Sequence, residues 1–304
     1  MLDYGAIVIG GGPAGLTAGL YLSRGGCRTL LIDNDGFGGK VKNAEWIENY
    51  PGFSTGVAGA QLASEMMTQA LNAGLQMEMA EVAEIESYSG SRCVQLVDGR
   101  FYTAAALIVA SGCHPKKLNI PGERELEGKG VIECALCDGA QFQDKTVVVC
   151  GGGDRGITEA LYLARIASKV CLIEAEAKIS ASAILQERAS SNKKLEIRCG
   201  AKVIAISGNG KVEAVEIQDT ATFEKKSLRV DGILIDVGVE PNTTFLKNRL
   251  SLDNQGRILV NEKMQTNLPN IFAIGDIRSN SPGQVATAIG DGATAAISVQ
   301  RLLQ

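Results

Sequence analysis

The chain has 304 residues, 45% of them hydrophobic, and a formal net charge of −4 at neutral pH. That length suits two domains, each with a core of its own. The 30 lysines and arginines are scattered rather than striped, which excludes a nucleic-acid footprint, and no apolar run is long enough to span a bilayer.

Residues 1–5 lack a basic stretch ahead of an apolar one and lead straight into a strand, so no signal peptide is expected and the chain reads as cytoplasmic. Eight cysteines without regular pairing fit a reducing compartment, and seven prolines with no low-complexity tract argue against long linkers. Residues 6–9 form a short apolar strand. Gly10, Gly12 and Gly15 then follow a G-x-G-x-x-G pattern and open an amphipathic helix to about Gly25. Such a turn lets a pyrophosphate approach the backbone at a helix N-terminus. A second run, residues 29–32, ends at Asp33, where an acid can bind a ribose hydroxyl pair. The glycine pattern alone is weak; with the strand, the helix and the acid in place it predicts dinucleotide binding.

Residues 36–40 and 48–53 are polar, glycine-rich and too long for a simple hairpin; they wrap a ligand or form ordinary turns. Residues 59–73 read as a helix, with Met66 and Met67 as core or dimer contacts. Alternating segments through Val82, Val94 and Phe101 predict a small antiparallel layer. The apolar run 104–110 delivers Ser111 and Gly112, and Pro115 and Pro121 mark a domain crossing near residues 112–118.

Next comes the stretch that organises the chain: Cys134 and Cys137, two residues apart, followed directly by Asp138. Such a pair can close a small disulfide ring. If a helix starts here its dipole lowers the pKa of the first thiol, and the adjacent acid can hand a proton to a leaving sulfur. The alternatives are inert buried thiols or half of a zinc site. Zinc needs two more ligands, whereas the chain has no second C-x-x-C and a single histidine, His114, so no metal is expected.

From there the chain repeats itself. The strand at residues 146–150 runs into Gly151, Gly153 and Gly156, a helix follows to about Ala167, and a second strand, residues 169–173, ends at Glu174. Each acid lies 23 positions after the first glycine of its turn (Gly10 to Asp33, Gly151 to Glu174). Alternating segments follow over residues 195–206, 212–217 and 228–236. Residues 238–243 read as a turn that returns the chain, residues 271–276 as a strand ending in Gly275 and Asp276, and residues 283–303 as a closing helix.

This arrangement resembles the small bacterial-type thioredoxin reductases, over essentially the whole chain. The motifs that carry the resemblance are the Gly10–Gly15 turn, Gly38-Gly39, Glu48-Asn49-Tyr50-Pro51-Gly52, Ser111-Gly112, the Cys134–Gly139 stretch, Gly238–Thr243 and Ile274-Gly275-Asp276. The resemblance implies an α/β fold of two Rossmann-like dinucleotide-binding domains, each of three-layer ββα type, with the second inserted into the first. The split FAD domain would be residues 1–115 and 245–304, and the redox-disulfide domain residues 116–244. It also implies that Gly10, Gly12, Pro13, Ala14, Gly15, Asp33 and Asn34 take the ADP half of FAD. Gly38, Gly39, Lys40 and Asn49 would line the flavin, with Val82, Ser111, Gly112 and Gly275 in the same site, Asp276 at the ribityl chain, and Gln284 and Val285 near the ring. Lys40 stands where the family usually has glutamine, and a cation there would raise the flavin potential. By the same resemblance Cys137 accepts electrons at the flavin, Cys134 attacks the substrate disulfide, and Asp138 is the acid/base group. The family moreover rotates its inserted domain, for which hinges near Pro115 and Pro241 would serve, and is homodimeric. Its substrate would be a thioredoxin-like protein or a small disulfide.

The second nucleotide site departs from the family. NADPH-dependent members carry a basic cluster after the second strand, whereas here Glu174 and Glu176 stand among residues 174–182 and only Lys178 is basic. Two carboxylates repel a 2′-phosphate, so NADPH is disfavoured. In the second glycine turn, with Asp154 among its candidate nucleotide contacts, Arg155 stands where the family prefers a small hydroxyl residue followed by alanine; Arg155 would clamp a pyrophosphate, fill the nicotinamide path, or simply be solvated. Three electron routes stay open: NADH at Glu174, ferredoxin or a second FAD in the site, or a dithiol oxidase passing electrons to oxygen. A non-enzymatic redox sensor or scaffold is a further reading, and the intact trio of Cys134, Cys137 and Asp138 speaks against it. His114 reads as a structural hinge residue, and Cys27, Cys93, Cys113, Cys150, Cys171 and Cys199 as buried small hydrophobes.

Overall fold

A computed structural model describes residues 2–304, which form two compact units: residues up to His114 together with Glu240–Gln304, and Pro115–Val239. The first unit opens with strand β1 (Tyr4–Ile9), helix α1 (Pro13–Arg24), β2 (Thr29–Asp33), α2 (Gly59–Asn72) and β3 (Gln76–Met79). An antiparallel layer follows, β4 (Val82–Tyr88), β5 (Ser91–Leu96) and β6 (Phe101–Val109), and β7 (Cys113–Pro115) is the outgoing crossing.

β6 belongs to two arrangements at once. Its first half pairs antiparallel with β5, while Ala104–Val109 run parallel to β1 from Tyr4 to Ile9. The resulting strand order is β3-β2-β1-β6, with β5 and β4 beyond. Because side chains alternate across a strand, β1 sends Ala6 and Val8 to one face and Ile7 and Ile9 to the other. The first pair packs with Leu16, Ala18 and Leu22 of α1; the second joins Ile85, Val94 and Leu96 of the antiparallel layer. Each fully buried leucine or isoleucine here contributes roughly 1.5–3 kcal/mol.

The second unit holds β8 (Val131–Ile132), α3 (Ala135–Asp138), β9 (Thr146–Cys150), α4 (Asp154–Ile166), β10 (Lys169–Glu174), α5 (Ala183–Ser190) and β11 (Leu195–Cys199). Then come β12 (Ala201–Ser207), β13 (Ala214–Asp219), β14 (Lys225–Arg229) and β15 (Gly232–Ile235). Its parallel sheet has the order β11-β10-β9-β15-β8, and β12-β13-β14 form a separate antiparallel sheet. The packing repeats that of the first unit. Val147 and Val149 face Ile157, Ala160 and Leu163 of α4, whereas Val148 and Cys150 face Val203, Ile206 and Val215.

The chain returns through β16 (Val239–Pro241), which pairs with β7 as a two-stranded sheet, and ends with β17 (Ile271–Ala273), parallel to β6, and α6 (Val285–Leu303). Two sequence expectations change here. Residues 238–243, expected as a turn, contain a strand, because the two crossings satisfy each other's backbone groups. The segment 195–206, expected as one run, is broken at Gly200, whose φ of +71° turns the chain out of the parallel sheet and into the antiparallel one.

Candidate active site

The first glycine turn joins β1 to α1. A Cβ on Gly15 would strike the Gly10 carbonyl, so only glycine lets the helix start this close to the strand. The Gly11 N–H donates to Asp33 Oδ2 at 2.6 Å, and the Asp35 N–H donates to Asp33 Oδ1 at 2.7 Å. The Gly38 N–H donates to the Gly11 carbonyl at 2.8 Å and lays the next loop over the turn. Beside it Gly39 approaches Gly12 so closely that a Cβ on Gly39 would lie 2.8 Å from Gly12 Cα. Gly12 itself faces open space apart from Gly39, a side-chain-free trough of the kind a dinucleotide occupies. The residues present therefore fit FAD.

The other predicted contacts of this unit are spread along the chain. Lys40 is the second residue of a 3₁₀ turn at Gly39–Asn43, Asn34 is exposed, and Val82 is half-buried at the head of β4. Asn49 Nδ2 donates to Gln284 Oε1 at 2.9 Å, which ties the loop after β2 to the start of α6 beside Val285. Gly275 (φ +73°) donates its N–H to Asp291 Oδ2 at 3.0 Å. Asp291 is only 6% exposed and also accepts from Nε and Nη2 of Arg278, at 2.6 and 2.9 Å. Arg257 Nη1 donates to the Asp276 carbonyl at 2.7 Å. Asp291, Arg278 and Arg257 thus fix the Gly275-Asp276 corner, and sequence reading missed all three. The Asp–Arg spacing matches no helical or strand repeat, so no local signal exposes it.

Asn242 locks the crossing segments. Its Nδ2 donates to the Ser111 carbonyl at 2.7 Å, Ser111 Oγ donates to its carbonyl at 3.1 Å, and its N–H donates to the Gly112 carbonyl at 3.0 Å. His114 Nδ1 lies 2.6 Å from Asn242 Oδ1 and its Nε2 lies 3.6 Å from Glu240, which makes it part of this lock.

The second turn copies the first. The Gly152 N–H donates to Glu174 Oε2 at 2.5 Å and the Glu176 N–H to Glu174 Oε1 at 2.9 Å. The Ser180 N–H donates to the Gly152 carbonyl at 2.9 Å, as Gly38 does to Gly11. A Cβ on Gly156 would strike the Gly151 carbonyl, and Gly153 faces open space apart from Ser180. Asp154 Oδ1 accepts the Ser182 N–H at 2.5 Å and closes the loop over the turn. Glu176 and Lys178 are both exposed on that loop. Arg198, opposite Ile173 in register, is held by Glu196 at 2.6 Å.

In the same unit Cys134 and Cys137 form a disulfide, with Cα atoms 5.4 Å apart. The Cys137 N–H donates to Cys134 Sγ at 3.1 Å, which favours negative charge on that sulfur. α3 is a single turn of four residues, so this direct bond takes the place of the helix dipole expected from sequence. Ala135 is buried, whereas Leu136, Cys137 and Asp138 are exposed. Asp138 borders a cleft of about 240 Å³ shared with Lys116, Lys117, Glu133 and Gln141.

Two side chains of α4 grip this segment. Arg155 Nη2 donates to the Glu133 carbonyl at 3.0 Å, with its Nε 3.7 Å from the buried carboxylate of Asp236. Glu159 Oε2 accepts the Ala135 N–H at 2.6 Å. Burial pushes the Glu159 carboxyl above its ordinary value, against the pull of that hydrogen bond and of Arg155. Arg155 is therefore neither simply solvated nor extended over the glycine turn.

Of the remaining cysteines, Cys113, Cys150 and Cys171 are buried, and burial pushes their thiols up, which leaves them unreactive. Cys27 and Cys93 are half-buried and Cys199 is exposed, contrary to the uniform burial expected. Cys199 ends the edge strand β11, beside the Gly200 break.

Comparison with known proteins follows the same lines. Residues 4–292 match the family described as pyridine nucleotide-disulphide oxidoreductase. The chain is 40% identical over 302 residues to the thioredoxin reductase of Bacillus subtilis, covering 99% of this chain and 95% of that one. It is 41% identical over 305 residues to the thioredoxin reductase of Helicobacter pylori, with 98% of each chain covered. The crystal structure of Lactococcus lactis thioredoxin reductase in its FR conformation superposes with a TM-score of 0.96, at 34% identity and 99% coverage of both chains.

Proposed function

Because the chain belongs to the pyridine nucleotide-disulphide oxidoreductase family, as a flavin-dependent disulfide oxidoreductase of the thioredoxin reductase type, we propose that its second glycine turn receives an adenosine diphosphate group with a free ribose 2′-hydroxyl, and that NADPH is not its electron donor. One observation carries this reading. Glu174 is held by Gly152 and Glu176 as Asp33 is held by Gly11 and Asp35, and the first turn is the one that suits the unphosphorylated ribose of FAD. A 2′-phosphate carries about −1.5 to −2 charge. Beside a carboxylate at about 4 Å, each unit of that charge costs ~1 kcal/mol in water and ~4 kcal/mol near a protein surface.

Gly10, Gly12, Gly15, Asp33, Gly38 and Gly39 would hold FAD, with Asp276 as a further contact, and the flavin when bound would supply two-electron transfer to the disulfide. The protein's own part is sulfur and proton chemistry. Opening the Cys134–Cys137 bond takes two electrons and one proton and leaves a thiolate on Cys134 and a thiol on Cys137. The Cys137 N–H stabilises that thiolate, and Asp138 passes the proton. Cys134 then attacks the disulfide of a thioredoxin-like protein, and Cys137 releases the mixed disulfide.

Anaerobic mixing of the yellow holoenzyme with each nucleotide tests the donor. Bleaching of the flavin by NADH but not by NADPH supports the reading. No bleaching by either, with two flavins per chain, places FAD in the second turn; with one flavin per chain it leaves ferredoxin as the donor. Rapid bleaching by NADPH refutes the charge argument.

A further inference from the structure

Arg155 and Glu159 lie one helical turn apart on α4, so both reach the same side of it. Arg155 holds the carbonyl of Glu133, the residue before Cys134, and Glu159 holds the N–H of Ala135, the residue after it. The two bonds, 3.0 and 2.6 Å long, bracket the nucleophile and carry opposite charges. Arg155 also pairs with the buried Asp236, at 3.7 Å, while its Nη2 is left to hold the Glu133 carbonyl. Arg155 departs from the glycine turn to reach Glu133, and Glu159 puts a half-buried carboxylate against a backbone amide.

We propose that Arg155 and Glu159 are positioning residues that fix the backbone on both sides of Cys134 and set, with opposite sign, how readily the Cys134–Cys137 disulfide is reduced. Reduction places negative charge on Cys134. The Arg155 guanidinium favours that charge, whereas the Glu159 carboxylate opposes it. Asp236, beside Arg155, keeps the cation in place and tempers its effect. Because Arg155 starts in the second glycine turn, the same side chain links that turn to the redox pair. The inference rests on the disulfide chemistry proposed above and is independent of the donor.

The test is equilibration of the holoenzyme with graded mixtures of reduced and oxidised dithiothreitol at mildly alkaline pH. Each dithiothreitol molecule gives up two electrons and two protons and closes its own ring; the enzyme S–S bond becomes two sulfhydryls, and Cys134 releases its proton. Acid quenching, alkylation and peptide mass then report the redox state of Cys134 and Cys137 apart from the six other cysteines. Arg155→Gln should make the disulfide harder to reduce and Glu159→Gln easier, each by roughly 3- to 10-fold, the upper figure being ~30 mV for a two-electron couple. Arg155→Lys, which keeps the charge, should stay within about twofold of the parent on the same scale. A purely structural role would loosen the turn in both variants and move them the same way. Shifts of equal sign, no shift in either variant, or a Lys variant that behaves like the Gln variant would each overturn the proposal. If one Gln variant does not fold, the other decides by the sign of its shift, read against its charge-keeping counterpart, Arg155→Lys or Glu159→Asp, which must stay with the parent.

Discussion

Replacing Asp291 by alanine should be the most damaging single change in the first unit outside the glycine turn. The carboxylate accepts the Gly275 N–H and two nitrogens of Arg278, and the two side chains are only 8% and 13% exposed. Breaking a buried pair by removing one partner costs ~3–5 kcal/mol, because the remaining charge is left uncompensated. The orphaned Gly275 N–H adds ~1–3 kcal/mol, overlapping in part with the first figure. The expected loss is therefore about 4–6 kcal/mol, a large share of the ~5–15 kcal/mol that holds a typical protein folded. Urea titration followed by flavin release and by far-ultraviolet dichroism measures it. Replacing both partners, Asp291→Leu with Arg278→Met, should recover most of the ion-pair cost and leave about 1–3 kcal/mol for the amide. A loss below ~1 kcal/mol in Asp291→Ala, or no recovery in the double variant, would refute the view that this pair builds the Gly275-Asp276 corner.

The two glycine turns should separate in their effects. Gly15→Ala forces a Cβ onto the Gly10 carbonyl and should cost ~1–3 kcal/mol with loss of bound FAD, whereas Gly156→Ala makes the same clash in the second unit and should spare the yellow colour; parallel absorbance spectra after gel filtration check both. Glu196 is held by Lys169 and Arg198 and its pKa is lowered to about 2, by those two hydrogen bonds first. Its folded value lies below the ordinary one near 4.5, so the stability it contributes is full above that pH and is lost as the pH falls through about 2. Because the group is partly exposed, Glu196→Gln should cost less than ~1 kcal/mol at neutral pH. The difference in melting temperature should narrow only in acid; one that grew on acidification would contradict the assignment.

Much of this architecture is legible in the sequence because it is local. A strand, a glycine turn, a helix and an acid at a fixed distance recur twice, and the same backbone constraint produces both copies, down to the hydrogen bond from Gly11 to Asp33 and from Gly152 to Glu174. The cysteine pair is legible for the same reason, since its ring spans four residues. What escapes is held by partners far apart in the chain. Asn242 bonds Ser111 across 131 positions, and Glu159 reaches Ala135 across 24. Neither residue type is unusual where it stands, and only the folded backbone reveals the pairing. The strand at Val239–Pro241 escaped because Gly238 before it and Pro241 at its end read as a turn, while the outgoing crossing supplies the partner that makes it a strand. Arg155 was conspicuous in sequence as a departure from the glycine-turn pattern, but its target, the carbonyl before Cys134, could not be read from residue type.

The central claim is that the second turn selects a ribose without a 2′-phosphate, and binding tests it without any electron transfer. Titration calorimetry of the FAD-loaded enzyme with ADP-ribose and with 2′-phospho-ADP-ribose compares the two ligands at the second site alone. The account predicts that ADP-ribose binds at least ~10-fold tighter, the equivalent of about 1.4 kcal/mol, with Glu174→Ala erasing the preference. Equal or tighter binding of the 2′-phosphorylated ligand would contradict it.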